Sequence, residues 1–331
     1  MNLAKDRCIF GPIPSRRLGI SLGVDLIPFK TCSMDCIYCE CGKTTSLTTE
    51  RKEYFPTDLA IRQIDEALKQ HPRIDYITFS GTGEPTLHSH IGEIIRHIES
   101  HYPEVKLCLL TNSFCLTDPA IAKELAPVEL IIPSLDGSNE EEFQKINRPA
   151  PGLSIEKIAR GIADFRKISS AQMWLEIFIA EGINDSPESA GRFLRMVEMI
   201  RPDKVQLNTL DRPGTERSVG IPSAEKLRVM AEIIGRAAEV ELIGGRAARK
   251  SEPEHLSTGE YNQRIIDTVA SRPCTAQDLA LSLGFREPNL EACLRRMEKA
   301  GLIFSEPGPR GLYYRAGKKP SSDVPRGSDG K

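Results

Sequence analysis

The chain has 331 residues, 40% of them hydrophobic and 27% charged, with a formal net charge of −2. That is the composition of a soluble globular protein large enough for two domains, and it carries no global attraction to nucleic acid or anionic membrane. No stretch approaches the roughly 18 apolar residues that span a bilayer. Residues 1–8 have no apolar signal core, so a cytoplasmic protein is expected. Nine cysteines, an odd number with three crowded together, argue against a disulfide framework and for metal binding.

Along the chain, residues 11–19 form a proline-constrained opening segment whose Arg16 and Arg17 are either solvated or available to an anion. Strand-like apolar runs follow at 20–27, 75–79, 105–110, 128–132, 174–179 and 204–207. Amphipathic helical patterns separate them: Ile91, Ile94, Ile95 and Ile98, and then Ala190, Phe193, Leu194 and Val197, recur at i, i+3, i+4, i+7. Thr57, Ser186 before Pro187, and Ser223 are start signals. This alternation predicts βα units and a parallel sheet. Six units fit a partial (β/α)6 barrel, but periodicity does not separate that from an open doubly wound sheet. Either fold places its site at the carboxyl ends of the strands.

Polar and glycine-rich motifs do follow the strands. Between the first two lies Lys30-Thr-Cys32-Ser-Met-Asp-Cys36-Ile-Tyr38-Cys39-Glu-Cys41-Gly42. Three thiolates at C-x3-C-x2-C spacing can converge on a soft metal centre, and iron–sulfur clusters are held by cysteine thiolates. A four-iron cubane would keep one iron free of protein ligand. The competing reading is a structural zinc knot with Cys41 as fourth ligand, although zinc ligands usually come in couples from separate segments. After the second strand comes Ser80-Gly81-Thr82-Gly83-Glu84-Pro85-Thr86, which on its own would read as a surface turn. Asn112 follows the third strand and Ser134 the fourth, as ligand contacts or as helix caps. Gln206 and Asn208 share one strand face and suit either a ligand or a polar core layer. Cys108, Cys115, Cys274 and Cys293 are expected in the core.

The first 249 residues are expected to form the barrel, and residues 250–257 read as a linker. Helical patterns at 261–271, 275–283 and 289–300, then strands at 302–305 and 312–315 about a Pro/Gly turn, predict a winged helix over 258–317. Thr275 and Asp278 make a capping pattern. From residue 318 the composition predicts a disordered tail, within which 324–328 is similar to an expression-tag protease site. Arg295, Arg296 and Lys299 on the third helix and Arg310 at the wing suit RNA or DNA, yet nearby acids nearly balance them.

Cys32, Cys36 and Cys39, with Tyr38 before the last, resemble the cluster loop of the radical S-adenosylmethionine (radical SAM) superfamily. The resemblance implies a partial barrel carrying a [4Fe–4S] cluster whose open iron chelates S-adenosylmethionine. It implies reductive cleavage to a 5′-deoxyadenosyl radical that abstracts hydrogen from substrate, with electrons from a flavodoxin- or ferredoxin-like donor. It implies that Gly83 and Glu84 receive the methionyl amino group, that Ser134 and Asn112 meet ribose or carboxylate, that Arg148 pairs with the carboxylate, and that Tyr38 belongs to the cofactor site. The run from Gly11 to Gly23 followed by the cysteine loop is similar to iron–sulfur oxidoreductases related to wyosine-type tRNA base synthases. Those synthases hold a second cluster on upstream cysteines, where this chain has only Cys8; Cys8 and Cys41 are candidates for an auxiliary site. A different class stays open: an iron–sulfur redox regulator acting through the winged helix.

Overall fold

In a computed structural model, the alternating strands and helices assemble into one eight-stranded sheet whose strands lie side by side in chain order. The structure describes residues 7–15, 18–71, 73–243, 258–271, 273–283 and 287–317. Arg16, Arg17, the expected linker at 250–257 and the expected tail from 318 lie outside the described residues.

The sheet opens with β1 (Ile9–Ser15), which pairs antiparallel with β2 (Gly19–Val24). Two short strands, β3 (Thr31–Cys32) and β4 (Ser46–Leu47), pair apart from it. Then α1 (Thr57–Gln70), β5 (Tyr76–Phe79), α2 (Ile91–His101), β6 (Lys106–Thr111), α3 (Pro119–Leu125) and β7 (Leu130–Pro133) alternate. Two helices follow, α4 (Glu140–Asn147) and α5 (Ile155–Ile168), before β8 (Gln172–Phe178), α6 (Pro187–Ile200), β9 (Lys204–Asn208), α7 (Ala224–Ile234) and β10 (Val240–Ile243). From β2 to β10 every pairing is parallel. This is an α/β fold with a mostly parallel central sheet, consistent with a partial TIM barrel.

Two strands differ from the sequence reading. The opening segment is not a loop: Pro12 and the unpaired ladder positions around it sit at a register shift between Phe10 and Ile13 on an edge strand, where proline is tolerated. And β10 adds a seventh parallel strand; its four residues, Val-Glu-Leu-Ile, with a charge among them, are too short a pattern to read.

Burial explains the strands. Leu107, Leu109 and Ile131 face the main core under the helices, while Cys108, Leu130 and Ile132 join Leu18 in a second cluster on the opposite face. Both faces being covered is what makes such strands read as continuous apolar runs. Ser186 and Ser223 cap α6 and α7 by accepting from Ser189 N and Lys226 N. Thr57 instead is the first residue of α1, held by the Glu53 carboxylate.

The remaining residues form α8 (Thr258–Ser271), β11 (Cys274–Thr275), α9 (Ala276–Leu283), α10 (Glu287–Lys299), β12 (Ile303–Gly308) and β13 (Gly311–Ala316). Their sheet order is β11-β13-β12, antiparallel throughout, over a separate apolar cluster that includes Cys274, Cys293 and Leu294. Thr275 and Asp278 bond each other's backbone reciprocally, as a capping box does.

The edge strand is held by one close approach. A methyl group built on Gly23 would lie 2.0 Å from Phe10 Cζ, so Gly23→Ala is expected to cost about 1–3 kcal/mol by overpacking. Adding Phe10→Ala should remove the clash, making the double variant more stable than the sum of the two single losses in urea denaturation.

Candidate cofactor site

Beyond the carboxyl end of β2 the chain turns through Lys30, in the left-handed region at φ 57°, and enters the cysteine loop. Few bonds inside this loop hold it; Cys39 N–H donates to Cys36 O and Gly42 N–H to Cys39 O. Its neighbours do the rest. From the loop after β5, Thr82 O accepts Lys30 N–H at 3.2 Å and Glu84 N–H donates to Thr31 O at 3.3 Å. From the end of α4, Asn147 O and Ile146 O accept Asp35 N–H and Ile37 N–H, both at 2.9 Å. From the segment after β9, Glu216 N–H donates to Ile37 O at 2.9 Å and Thr215 Oγ1 to Cys39 O at 3.2 Å.

This frame gives each of the three sulfurs its own donor. Asn112 Nδ2 reaches Cys32 Sγ at 3.5 Å, Asn147 Nδ2 reaches Cys36 Sγ at 3.3 Å, and Lys30 Nζ reaches Cys39 Sγ at 3.1 Å. Cys32 and Cys36 are pushed up by burial, with Glu84 and Asp136 adding to it, Cys32 to about 12. Cys39 moves the other way, to about 6, through a hydrogen bond from Cys41 and the Lys30 ammonium. Burial pulls Lys30 down, but Cys39 outweighs it and holds the ammonium above its ordinary value. Metal binding here would therefore release protons chiefly from Cys32 and Cys36.

The residues expected to meet the cofactor occupy one end of the sheet, in different states. Gly83 is pressed against the cysteine loop: a methyl there would lie 2.1 Å from Thr31 O. Glu84, expected to receive an ammonium group, has a carboxylate only 3% exposed that already accepts several protein hydrogen bonds. Oε1 accepts from Thr86 N–H, Thr86 Oγ1 and Thr111 Oγ1, and Oε2 accepts from Asn112 N–H at 2.8 Å. Burial raises its pKa against those donors. It clasps the β5 loop to the end of β6. Asn112 also donates to Ser33 Oγ at 2.9 Å, and its Oδ1 accepts Phe114 N–H, while the residue at the cap of the short helix there is Ser113, whose side chain makes no capping bond. Ser134 is half-buried and its hydroxyl bonds no other described residue; its carbonyl accepts from Ser113 Oγ.

Tyr38 stacks on Phe178 at 3.9 Å between centroids and donates to Asp136 Oδ2 at 2.6 Å. Asn147 Nδ2 shares that oxygen at 2.7 Å, and Phe178 N–H takes Oδ1. Arg148 sits in the left-handed region just after α4 and pairs with Glu216 at 2.7 Å, with both side chains substantially exposed. Gln206 donates to Glu241 at 3.2 Å, while Asn208 Oδ1 accepts Thr209 N–H. Cys8 is buried against Gln63. Lys30, Asn147 and Asp136 carry roles that sequence reading missed. The signal was their position, beside the first cysteine or just beyond a strand or helix end.

The donor set fits a polynuclear thiolate centre. Among the described residues no three His, Cys, Asp or Glu are placed to hold a metal ion; what suits a soft-metal or iron–sulfur centre is the chemistry of three thiolate donors in one loop. Asn147, whose Nδ2 reaches Cys36, has a buried Oδ1 with no hydrogen-bond partner among the described residues.

The family model of the Radical SAM superfamily matches residues 26–194. The chain is 32% identical over 302 residues to a GTPase Obg of Brachyspira hyodysenteriae, covering 91% of this chain but only 44% of that protein. It is 32% identical over 241 residues to a UPF0026 protein of Methanocaldococcus jannaschii, covering 71% of this chain and 74% of the relative. Its fold is similar to that of a radical SAM methyltransferase from Sphaerobacter thermophilus, at TM-score 0.55 and 17% identity over 69% of this chain and 67% of the other.

The Glu84 clasp is testable without any cofactor. Glu84→Ala strands the hydroxyl and amide donors of Thr86, Thr111 and Asn112 and should lower unfolding free energy by about 3 kcal/mol. Urea denaturation of the cluster-free chain measures this; an unchanged midpoint would mean the carboxylate holds nothing.

Proposed function

The chain belongs to the radical SAM superfamily, and we propose that it is an enzyme of that family, holding a [4Fe–4S] cluster on Cys32, Cys36 and Cys39 with S-adenosylmethionine beside it. The observation that carries this reading is the set of three thiols in one loop, each with a separate protein donor. When bound, the pair supplies one-electron cleavage of S-adenosylmethionine and hydrogen-atom abstraction from a substrate whose identity stays open.

The chain's own residues would do the following. Asn112, Asn147 and Lys30 stabilise the thiolate charge, and hydrogen bonds to ligand sulfurs tune a cluster's potential. Gly83 lets the β5 loop lie flat against the cysteine loop, so that the backbone of residues 81–83 and, beside it, Glu84 Oε2, which accepts a single hydrogen bond, are offered to the methionyl ammonium. Ser134 has a free hydroxyl for ribose and Asn112 a side chain at the same strand ends. Tyr38, locked by Phe178 and Asp136, makes a fixed aromatic wall. Arg148 exchanges Glu216 for the methionyl carboxylate, an easy exchange because exposed ion pairs are worth little.

Residues 258–317 are proposed to be a winged helix, since their element order is helix, strand, two helices and a hairpin. Placement beside the wyosine-type synthases rests on the opening motif alone, and a flavodoxin- or ferredoxin-like donor is the proposed electron source. For nucleic acid, the exposed Arg295, Arg296 and Lys299 of α10 are the remaining candidates, Arg295 being paired only with the exposed Glu291, because Arg310 is committed to Asp211 and Asp278.

Anaerobic reconstitution, then dithionite and S-adenosylmethionine, should yield 5′-deoxyadenosine, and alanine at Cys32, Cys36 or Cys39 should abolish both the product and the bound iron. A chain loaded with about four irons that forms no 5′-deoxyadenosine overturns the enzyme reading and leaves the redox regulator.

A further inference from the structure

We propose that the β12–β13 hairpin is a brace for the cysteine loop rather than a nucleic-acid wing, and that Arg315 is its positioning residue. Arg315 Nη1 donates to Glu40 O at 2.9 Å, one residue beyond Cys39, and Nη2 donates to Pro213 O at 3.0 Å. Its Nε pairs with Glu306 on the facing strand. One planar fork thus joins the hairpin, the segment after β9 and the cysteine loop. Two parallel donors in fixed geometry are what guanidinium supplies and ammonium does not.

The surrounding contacts point the same way. Loop carbonyls need partners, and three between residues 37 and 40 accept from outside the loop: Ile37 O from Glu216 N–H, Cys39 O from Thr215 Oγ1, Glu40 O from Arg315. The Glu40 carboxylate is held through both oxygens by Nη1 of Arg212, which is 4% exposed. A methyl at Gly214 would sit 3.0 Å from the Tyr38 backbone, so the segment after β9 lies directly on the loop. The hairpin in turn clasps that segment. Tyr313, fully buried, donates to Asp211 O; Arg310 pairs with Asp211 at 2.9 Å and forks onto Asp278; Gly308 packs against Pro213. The cations a wing would offer to phosphate are turned inward and neutralised.

The contact belongs to the chain without cofactor; only what it positions rests on reading Cys32, Cys36 and Cys39 as cluster ligands. The test therefore uses full-length, cluster-free Arg315→Ala and Arg315→Lys. Hydrogen exchange at the amides of Ile37, Cys39 and Gly42, and the rate of Cys39 modification by a disulfide reagent, should rise about tenfold in Arg315→Ala and recover in part in Arg315→Lys. Amides of β6 and β7 should not change, and the midpoint of urea unfolding should stay near that of the parent. After reconstitution, the electron paramagnetic resonance signal of the reduced cluster should broaden in Arg315→Ala. Unchanged exchange and thiol reactivity would overturn the brace. So would loosening that spreads equally to β6 and β7, which would mark a general structural role. Failure to take up iron in the parent chain would instead sink the cluster reading and leave the exchange result standing.

Discussion

The cysteine loop depends on hydrogen bonds it does not make to itself. The loop does bury Met34 and Ile37 and stacks Tyr38 on Phe178, but its backbone groups still need partners, and surrounding elements supply them. Here the β5 loop holds one flank through Thr82 and Glu84, the end of α4 holds the other through Ile146 and Asn147, and the segment after β9 covers the top. Each holding segment sits at or just past the end of a strand or helix of the barrel. The sheet thus acts at a distance, by fixing where those ends are.

The same geometry explains why acidic and amide side chains at the site face inward. Glu84 accepts from Thr86, Thr111 and Asn112, and Asp136 from Tyr38, Asn147 and Phe178. Burial pushes both carboxyls upward, Asp136 to about 6, and several donors each offset part of that cost. Buried acids so satisfied set the position of neighbouring groups. They orient Asn112 and Asn147, whose amides then reach Cys32 and Cys36. Positioning of this kind is how a protein contributes to chemistry that a cofactor performs.

A second consequence concerns charge. The near-neutral balance of the chain is realised locally at the C-terminal unit, where Arg310, Arg315, Asp211, Asp278 and Glu306 pair among themselves and across to the barrel. Cations that face inward and meet carboxylates and carbonyls serve cohesion. The exposed face of α10 keeps Arg295, Arg296 and Lys299 for other partners.

Local pattern was enough for much of this molecule. Helix periodicity at Ile91–Ile98 and Ala190–Val197, caps at Ser186 and Ser223, six parallel strands and the cysteine spacing are all short-range signals, and short-range physics produces them. The edge strand at Ile9–Ser15 and the last strand at Val240–Ile243 were not legible, because what stabilises them is a neighbour across the sheet and not their own composition. The sequence alone determined which residues could ligate soft metal and that they lie beyond a strand end. Only the tertiary structure decided that Glu84 is a clasp, that Lys30 and two asparagines serve the sulfurs, and that Arg315, 275 residues from Glu40, closes over the loop. Those roles arise from contacts between segments far apart in the chain, and no local spacing encodes them.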